Sequence, residues 1–327
     1  GQSYDVIVVR VMKNIEHLSP LEWYRKYAPN PSGSPVSLKV NGYPAIQDGT
    51  TTYVAAANIP GGNVVGAPVY TNIYLISYNA SAKATTKKIV QQLLNTWSFN
   101  DSFIDGDDFN GQPAHCHVAA TQLCNSDDEC GAGDYCLSQK ATIRRDVARY
   151  TDINSIGRTL NEYATAHRFC QNNPATPCVT NSQCGNGGIC LPFYPKLASG
   201  SYVAGMSTSK WPSWQQTFAT TIGGTQPVDP VNHYDSCANG AYDPYDKETC
   251  WDAAARKFSC PSDASVYIYQ VQQDTSYRLS ANLETNSRFS WAKENQNLAF
   301  TNAAVCTGTP QAGICGNSVL EAGEVCD

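Results

Sequence analysis

Across the first hundred residues, apolar positions gather in short β-branched runs separated by turn-forming pairs, whereas from residue 139 they recur every three or four positions. The first pattern predicts strands and the second an amphipathic helix. Residues 4–11 form one strand-like run, rich in valine. Ser19-Pro20-Leu21-Glu22 then supplies a capping residue, a proline in the first turn and an acid three positions after the cap, so a short helix is expected through Trp23 to about Tyr27. Pro29, Pro31, Gly33 and Pro35 end it. Further strand-like runs occupy 36–40, 51–57 and 69–78, with Asn41-Gly42 and Asp48-Gly49 as turn signals. Residues 81–97 read as a helix whose inward face carries Ile89, Leu93 and Trp97. The first strand has two readings: an internal strand of this domain, or a strand that completes a neighbour's sheet by β-augmentation.

From residue 139 to residue 169 there is no proline and a single glycine. Ile143, Val147, Tyr150, Ile153, Ile156, Leu160 and Tyr163 follow helical spacing, and at 100° per residue their stripe drifts over about half the circumference. A helix of that length spans roughly 45 Å and should meet more than one neighbour, acting as the spine of the molecule. Beyond it, a short helix is expected at 214–222 and a hairpin formed by 265–271 and 277–284. The class is therefore α+β: an N-terminal α+β domain, a long central helix packed on a small antiparallel sheet, and disulfide-stapled loops. The expected divisions are 1–100, a cysteine-free α+β domain; 101–138, an acidic linker and first four-cysteine loop; 139–305, helix plus sheet with a second loop at 170–190; and 306–327, the start of a cysteine-rich repeat.

The cysteines sharpen this picture. Cys116, Cys124, Cys130 and Cys136 are separated by seven, five and five residues, and Cys170, Cys178, Cys184 and Cys190 repeat those gaps. Cys237, Cys250, Cys260, Cys306, Cys315 and Cys326 bring the total to fourteen. Zinc sites usually present two ligands in a short chelating pair, and no Cys-x-x-Cys occurs, so the pattern reads as small disulfide modules in an oxidising compartment. Four cysteines allow three pairings; each loop is expected to pair internally. Asn79-Ala80-Ser81 and Asn100-Asp101-Ser102 are sequons, which makes Asn79 and Asn100 candidate glycosylation sites.

A net charge of -6 gives no support to nucleic-acid binding, and no polybasic run points to an anionic membrane surface. Any membrane attachment would run through a segment absent from this sequence, and an export segment is expected to have preceded Gly1. No Ser-His-Asp or Cys-His grouping and no phosphate-binding glycine loop can be assembled. His115 and His117 flank Cys116, a spacing more often incidental than metal-binding.

Arg145-Asp146 with Ile153, Leu160 and Tyr163, then Tyr194-Pro195, the Pro-x-Asp-Pro-x-Asn at 227–232, and a tyrosine-rich hairpin closing at Leu283-Glu284 resemble the globular part of type IV pilins and type II secretion pseudopilins. The resemblance covers about residues 141–286 and lacks the apolar N-terminal half-helix of pilins. It implies a helix-on-sheet module and extracellular assembly. Some pseudopilins bind calcium before their last strands, which makes Asp229, Asn232, Asp235, Asp243 and Asp246 candidate ligands; no other cofactor is expected. Residues 315–327 look like the opening of a cysteine-rich repeat of bacterial surface proteins. The expectation is a secreted, non-enzymatic bacterial cell-surface protein that self-associates into a pilus-like filament or envelope layer. The alternatives are a monomeric adhesin or ligand-binding ectodomain presenting Trp211, Trp214 and Trp251, and a carboxylate-dependent hydrolase.

Overall fold

The computed structural model describes residues 4–31, 33–59, 69–100, 102–197, 201–234, 237, 245–259, 264–273, 275–285, 289–294 and 297–302. The chain divides into two compact units, Gly1–Asp152 with Glu284–Asn286, and Ile153–Leu283 with Ser287–Asp327. Helices and antiparallel sheets mix in an α+β fold. The boundary between the units falls after Asp152, inside the long helix, rather than ahead of residue 139.

In the first unit, strands β1 (Ile7–Lys13), β2 (Val36–Val40), β3 (Tyr43–Asp48), β4 (Thr51–Asn58) and β5 (Tyr70–Tyr78) form one antiparallel sheet in the order β1-β5-β4-β3-β2. The first strand thus pairs within its own domain, Ile7 opposite Tyr78 through to Lys13 opposite Asn72. The stretch between the two turn pairs is itself a strand, β3, which the sequence pattern does not predict, inserted between β2 and β4 by two tight hairpins. Helix α1 (Pro20–Tyr27) starts as its cap predicts: Ser19 Oγ accepts the Glu22 N–H at 3.3 Å and Glu22 Oε2 accepts the Ser19 N–H at 3.2 Å. It buries Trp23 and Tyr24 against Ile46, Tyr53, Ala55 and Ile73 of the sheet.

Helix α2 (Ala84–Thr96) corrects one expectation. Its buried side chains are Val90 and Leu94, while Ile89 is 53% exposed. The face is turned by one residue because Ala82, buried just before the helix, sets an Ala82, Thr86, Val90, Leu94 row.

Helix α3 (Gln139–Ala166) has 28 residues. Ser138 caps it, Oγ accepting the Ala141 N–H at 3.3 Å. It stops three residues short of the expected end because the chain becomes extended at Arg168 to enter a small sheet. That sheet has the order β7-β6-β8, with β6 Arg168–Cys170, β7 Asn173–Pro177 and β8 Cys190–Pro192. Ile143, Val147 and Tyr150 of α3 are buried in the first unit, and Ile153, Ile156 and Leu160 in the second.

The second unit's larger sheet includes β9 (Met206–Thr208), followed in sequence by the two-stranded pair β10 (Trp251–Asp252) and β11 (Lys257–Phe258), then β12 (Tyr267–Gln273), β13 (Ser276–Asn282), β14 (Phe289–Glu294) and β15 (Asn297–Asn302). Its order is β15-β14-β13-β12-β9. The expected hairpin is β12–β13, and β14 and β15 extend it. Tyr277 on β13 donates its hydroxyl to the Gly157 carbonyl of α3 at 3.4 Å, and the Tyr194 hydroxyl donates to Asn161 Oδ1 at 3.3 Å.

Each cysteine loop is closed upon itself in the same order, first to third and second to fourth: Cys116–Cys130 and Cys124–Cys136, then Cys170–Cys184 and Cys178–Cys190. Cys237 joins Cys250. Cys260, Cys306, Cys315 and Cys326 lie outside the described residues. The sulfurs are themselves the buried centre of each loop, since the intervening residues are too polar to make one.

Two outcomes follow. Non-reducing peptide mapping is expected to recover these loop pairings, and replacing Cys124 and Cys136 together by serine is expected to lower stability by about 2–4 kcal/mol; a cross-link between the two loops would contradict the pairing. His17 is buried, its Nδ1 3.1 Å from Thr71 Oγ1 and its ring 4.8 Å from that of Tyr150, and burial pushes its pKa down to about 4. The unfolded chain takes up that proton near pH 6.5, so stability is full above 6.5 and falls toward pH 4, by roughly 2–3 kcal/mol. Urea unfolding of a His17→Asn variant should show a flatter pH dependence in this window.

Candidate functional site

The apolar face of α3 is interrupted by charge: Arg145, Asp146 and Arg149 are all buried, Arg149 and Asp146 completely. Spacings of three and four residues bring the two guanidiniums to one side of the helix. There they meet Glu284, which follows β13 in the chain yet belongs to the first unit. Arg145 forms a two-pronged contact, Nε to Glu284 Oε1 at 2.8 Å and Nη2 to Oε2 at 2.6 Å, and Arg149 Nη1 also donates to Oε1.

Asp146 completes the group from below. Its Oδ1 accepts from Arg149 Nη1 at 2.8 Å and from the Glu284 N–H at 3.0 Å, while Oδ2 accepts the N–H and hydroxyl of Thr285. Arg145 Nη1 reaches the first cysteine loop, donating to Asp127 Oδ1 and, at 3.0 Å, to the Cys136 carbonyl. Its guanidinium also lies 5.0 Å from the centre of the Tyr135 ring. Two segments, the first cysteine loop and residues 284–285, are thereby fixed to one helix turn.

Burial opposes charge on Glu284, but Arg149 and Arg145 outweigh it and hold the carboxyl at about 2. For Asp146 burial pushes the carboxyl up, against Arg149 and the Thr285 donors. Asp146 accepts two hydrogen bonds at each oxygen, while Glu284 accepts two at Oε1 and one at Oε2 and keeps its side chain 19% exposed. An ion pair in such surroundings is stable only while every partner remains, because a lone charge there has neither water nor a counter-ion. Chemically, the arrangement is a clamp.

The sequence pointed to Arg145, Asp146 and Glu284 only as parts of a resemblance, and missed Arg149, Asp127 and Thr285. The signal available was charge within an apolar helical stripe.

The candidate calcium ligands are placed in part. Asp229 is buried, its Oδ1 accepting the Val231 N–H at 2.9 Å, and Asn232 Oδ1 accepts from Ser209 Oγ at 2.7 Å. Asp246 Oδ1 accepts the N–H groups of Glu248 and Thr249 at 2.6 and 3.1 Å. Asp235 and Asp243 lie outside the described residues. Among the described residues, the convergent groups of three or more His, Cys, Asp or Glu ligand atoms are Cys116, Cys124, Cys130 and Cys170, Cys178, Cys184, whose sulfurs are joined in disulfides. His117 stacks on Tyr135 at 4.7 Å.

Of the sequon residues, Asn79 is partly exposed, with its side-chain NH2 donating to Ser81 Oγ at 2.9 Å. Asn100 donates to the Ala57 carbonyl at 3.2 Å and accepts from the Tyr43 hydroxyl at 2.9 Å.

Trp211, Trp214 and Trp251, which the alternative of a ligand-binding ectodomain presents as an exposed contact surface, are instead buried. Trp211 packs on Tyr202 and Phe258, Trp251 on Tyr202, and Trp214 on Phe218 and Tyr267. The loop-rich region has little aliphatic content of its own, so these rings supply its core.

Glu284→Gln is expected to cost about 3 kcal/mol or more at neutral pH, because Arg145 and Arg149 lose their counter-charge. The sign with pH is set by the depressed carboxyl: its contribution is complete above the usual value of 4.5 and disappears as pH falls through about 2. Denaturant unfolding at a series of pH values should therefore show the variant losing less stability than the parent over that range; a neutral substitution would contradict the clamp. No family model matches this chain, and neither a curated protein nor a solved structure matches it.

Proposed function

We propose that the chain is a secreted bacterial cell-surface structural protein that self-associates into an extracellular filament or envelope layer and works through contacts rather than turnover. The observation that carries this reading is the pair of identically wired disulfide loops immediately before and after the 28-residue helix. Covalent bracing of polar loops suits an oxidising environment outside the cell, where a protein must hold its shape without chaperones. The resemblance of residues 141–286 to pilin and pseudopilin modules supports assembly, and calcium bound in the 229–246 region would be a further brace. Among the described residues, no helix is long and apolar enough to cross a membrane.

A ligand-binding ectodomain is the second reading. It is favoured by a cleft of about 420 Å³ in the first unit, lined by Trp23, Tyr27 and Tyr53 together with the cations Arg10 and Lys13. Electron microscopy of the secreted protein separates the two. Regular polymers or sheets are expected; uniformly dispersed particles that acquire thermal stability with a small ligand would favour the second.

A further inference from the structure

Strand β1 is the last strand on its side of the first sheet, and its outer edge has no partner among the described residues. The two ends of its ladder show which groups that edge presents. The Asn79 N–H donates to the Val6 carbonyl at 3.3 Å and the Asn14 N–H to the Thr71 carbonyl at 3.2 Å. In an antiparallel pair, residues alternate in the side to which both main-chain groups point. Even-numbered residues therefore face β5, and Ile7, Val9, Val11 and Lys13 turn their N–H and C=O groups outward.

Natural edges are blunted by charge, proline or a bulge. This one carries Arg10 and Lys13 but neither proline nor bulge; its valine-rich run keeps a regular register from Ile7 to Lys13, and its apolar side chains are exposed on both faces. Such an edge is a template for another strand.

We infer that β1 pairs antiparallel with β1 of a second copy across a two-fold axis at Val9. Only pairings between outward-facing residues are open to it, which puts the axis on a residue rather than between two, and overlap of most of Ile7–Lys13 then requires Val9, Arg10 or Val11. An axis at Arg10 would set the two Arg10 side chains directly opposite, a destabilising like-charge pair. An axis at Val11 would place Lys13 opposite Val9. The axis at Val9 instead brings Ile7 opposite Val11 and sets Lys13 of the other copy beside Asp5, whose Oδ2 already accepts the Lys83 N–H at 3.0 Å and the Thr86 hydroxyl and whose Oδ1 would face the lysine, twice by symmetry.

On the other face, the same register sets Val6, 49% exposed, opposite Met12, at the cleft that Met12, Lys13, Trp23 and Tyr27 line. Charge, apolar side chains and main-chain groups are complementary in one register. The core of the contact amounts to about six main-chain hydrogen bonds plus that apolar cover, a small interface that associates reversibly.

The inference rests on the proposed function only in taking a second copy as the partner. Sedimentation velocity on the full chain across the micromolar range tests it. A reversible dimer is expected. Val9→Pro removes an N–H that points away from β5, so the intramolecular ladder stays intact; its circular-dichroism melt should match the parent's while the dimer dissociation constant rises at least about tenfold. Lys13→Glu, a surface change, should weaken the dimer likewise.

The register is read by cysteine cross-linking. Val9→Cys is expected to form a reducible homodimer, because residues facing each other on the axis lie within disulfide reach. Cross-linking through Arg10→Cys or Val11→Cys instead, a chain monomeric at every concentration, or a dimer indifferent to Val9→Pro would overturn the inference. Dimers that never grow into polymers would leave this contact standing and remove the filament reading, whereas polymers unaffected by Val9→Pro would do the reverse.

Discussion

Two arginines buried on one turn of a helix are the constraint on which the first unit depends. Removing a guanidinium from water costs several kcal/mol, and that cost is offset only where carboxylates and carbonyls meet each N–H group. Arg145 and Arg149 therefore demand that Glu284, Asp146, Asp127 and the Cys136 carbonyl all be in place at once. Apolar packing would tolerate a slip of an ångström; a two-pronged arginine–carboxylate contact does not. The network thus specifies where residues 284–285 return and how the first cysteine loop sits on α3, more than it adds raw stability.

Disulfides complete what the ionic contacts begin. Residues 116–136 and 170–190 are rich in Asn, Asp, Ser, Thr and Gly and cannot bury enough apolar surface to hold a shape. Their sulfurs serve as the core, and the backbone fills in around them. In the second unit, aromatic rings play that part, with Trp211, Trp251, Tyr202 and Phe258 packed together and Trp214 with Phe218 and Tyr267 elsewhere in the unit. A chain built in this way is suited to an exposed, oxidising setting.

What could be read from the sequence was local. The Ser19–Glu22 capping box, the 28-residue helix, the β12–β13 hairpin and the duplicated cysteine loops all declare themselves in spacing and residue type. What could not be read depended on distant neighbours. Helical periodicity allowed either Ile89 or Val90 to face inward, and the buried Ala82 ahead of the helix put Val90 and Leu94 on the inner row. The bond from Arg149 to Glu284 spans 135 residues, which no local pattern encodes. Tryptophans in a loop-rich stretch could equally have been a contact surface or a core, and the scarcity of aliphatic residues around them made them a core. The first strand was visible, but its position as the last strand of the sheet among the described residues followed only from pairing with β5.

The central claim is that Arg149 and Glu284 hold each other in place, so that neither is tolerable alone. A double-mutant cycle with Arg149→Met and Glu284→Leu, read by urea unfolding at neutral pH, measures that coupling directly. The account predicts that each single substitution is severely destabilising, that the pair together is milder than their sum, and that the coupling is roughly 2–3 kcal/mol. Additive effects, with a coupling near zero, would contradict it.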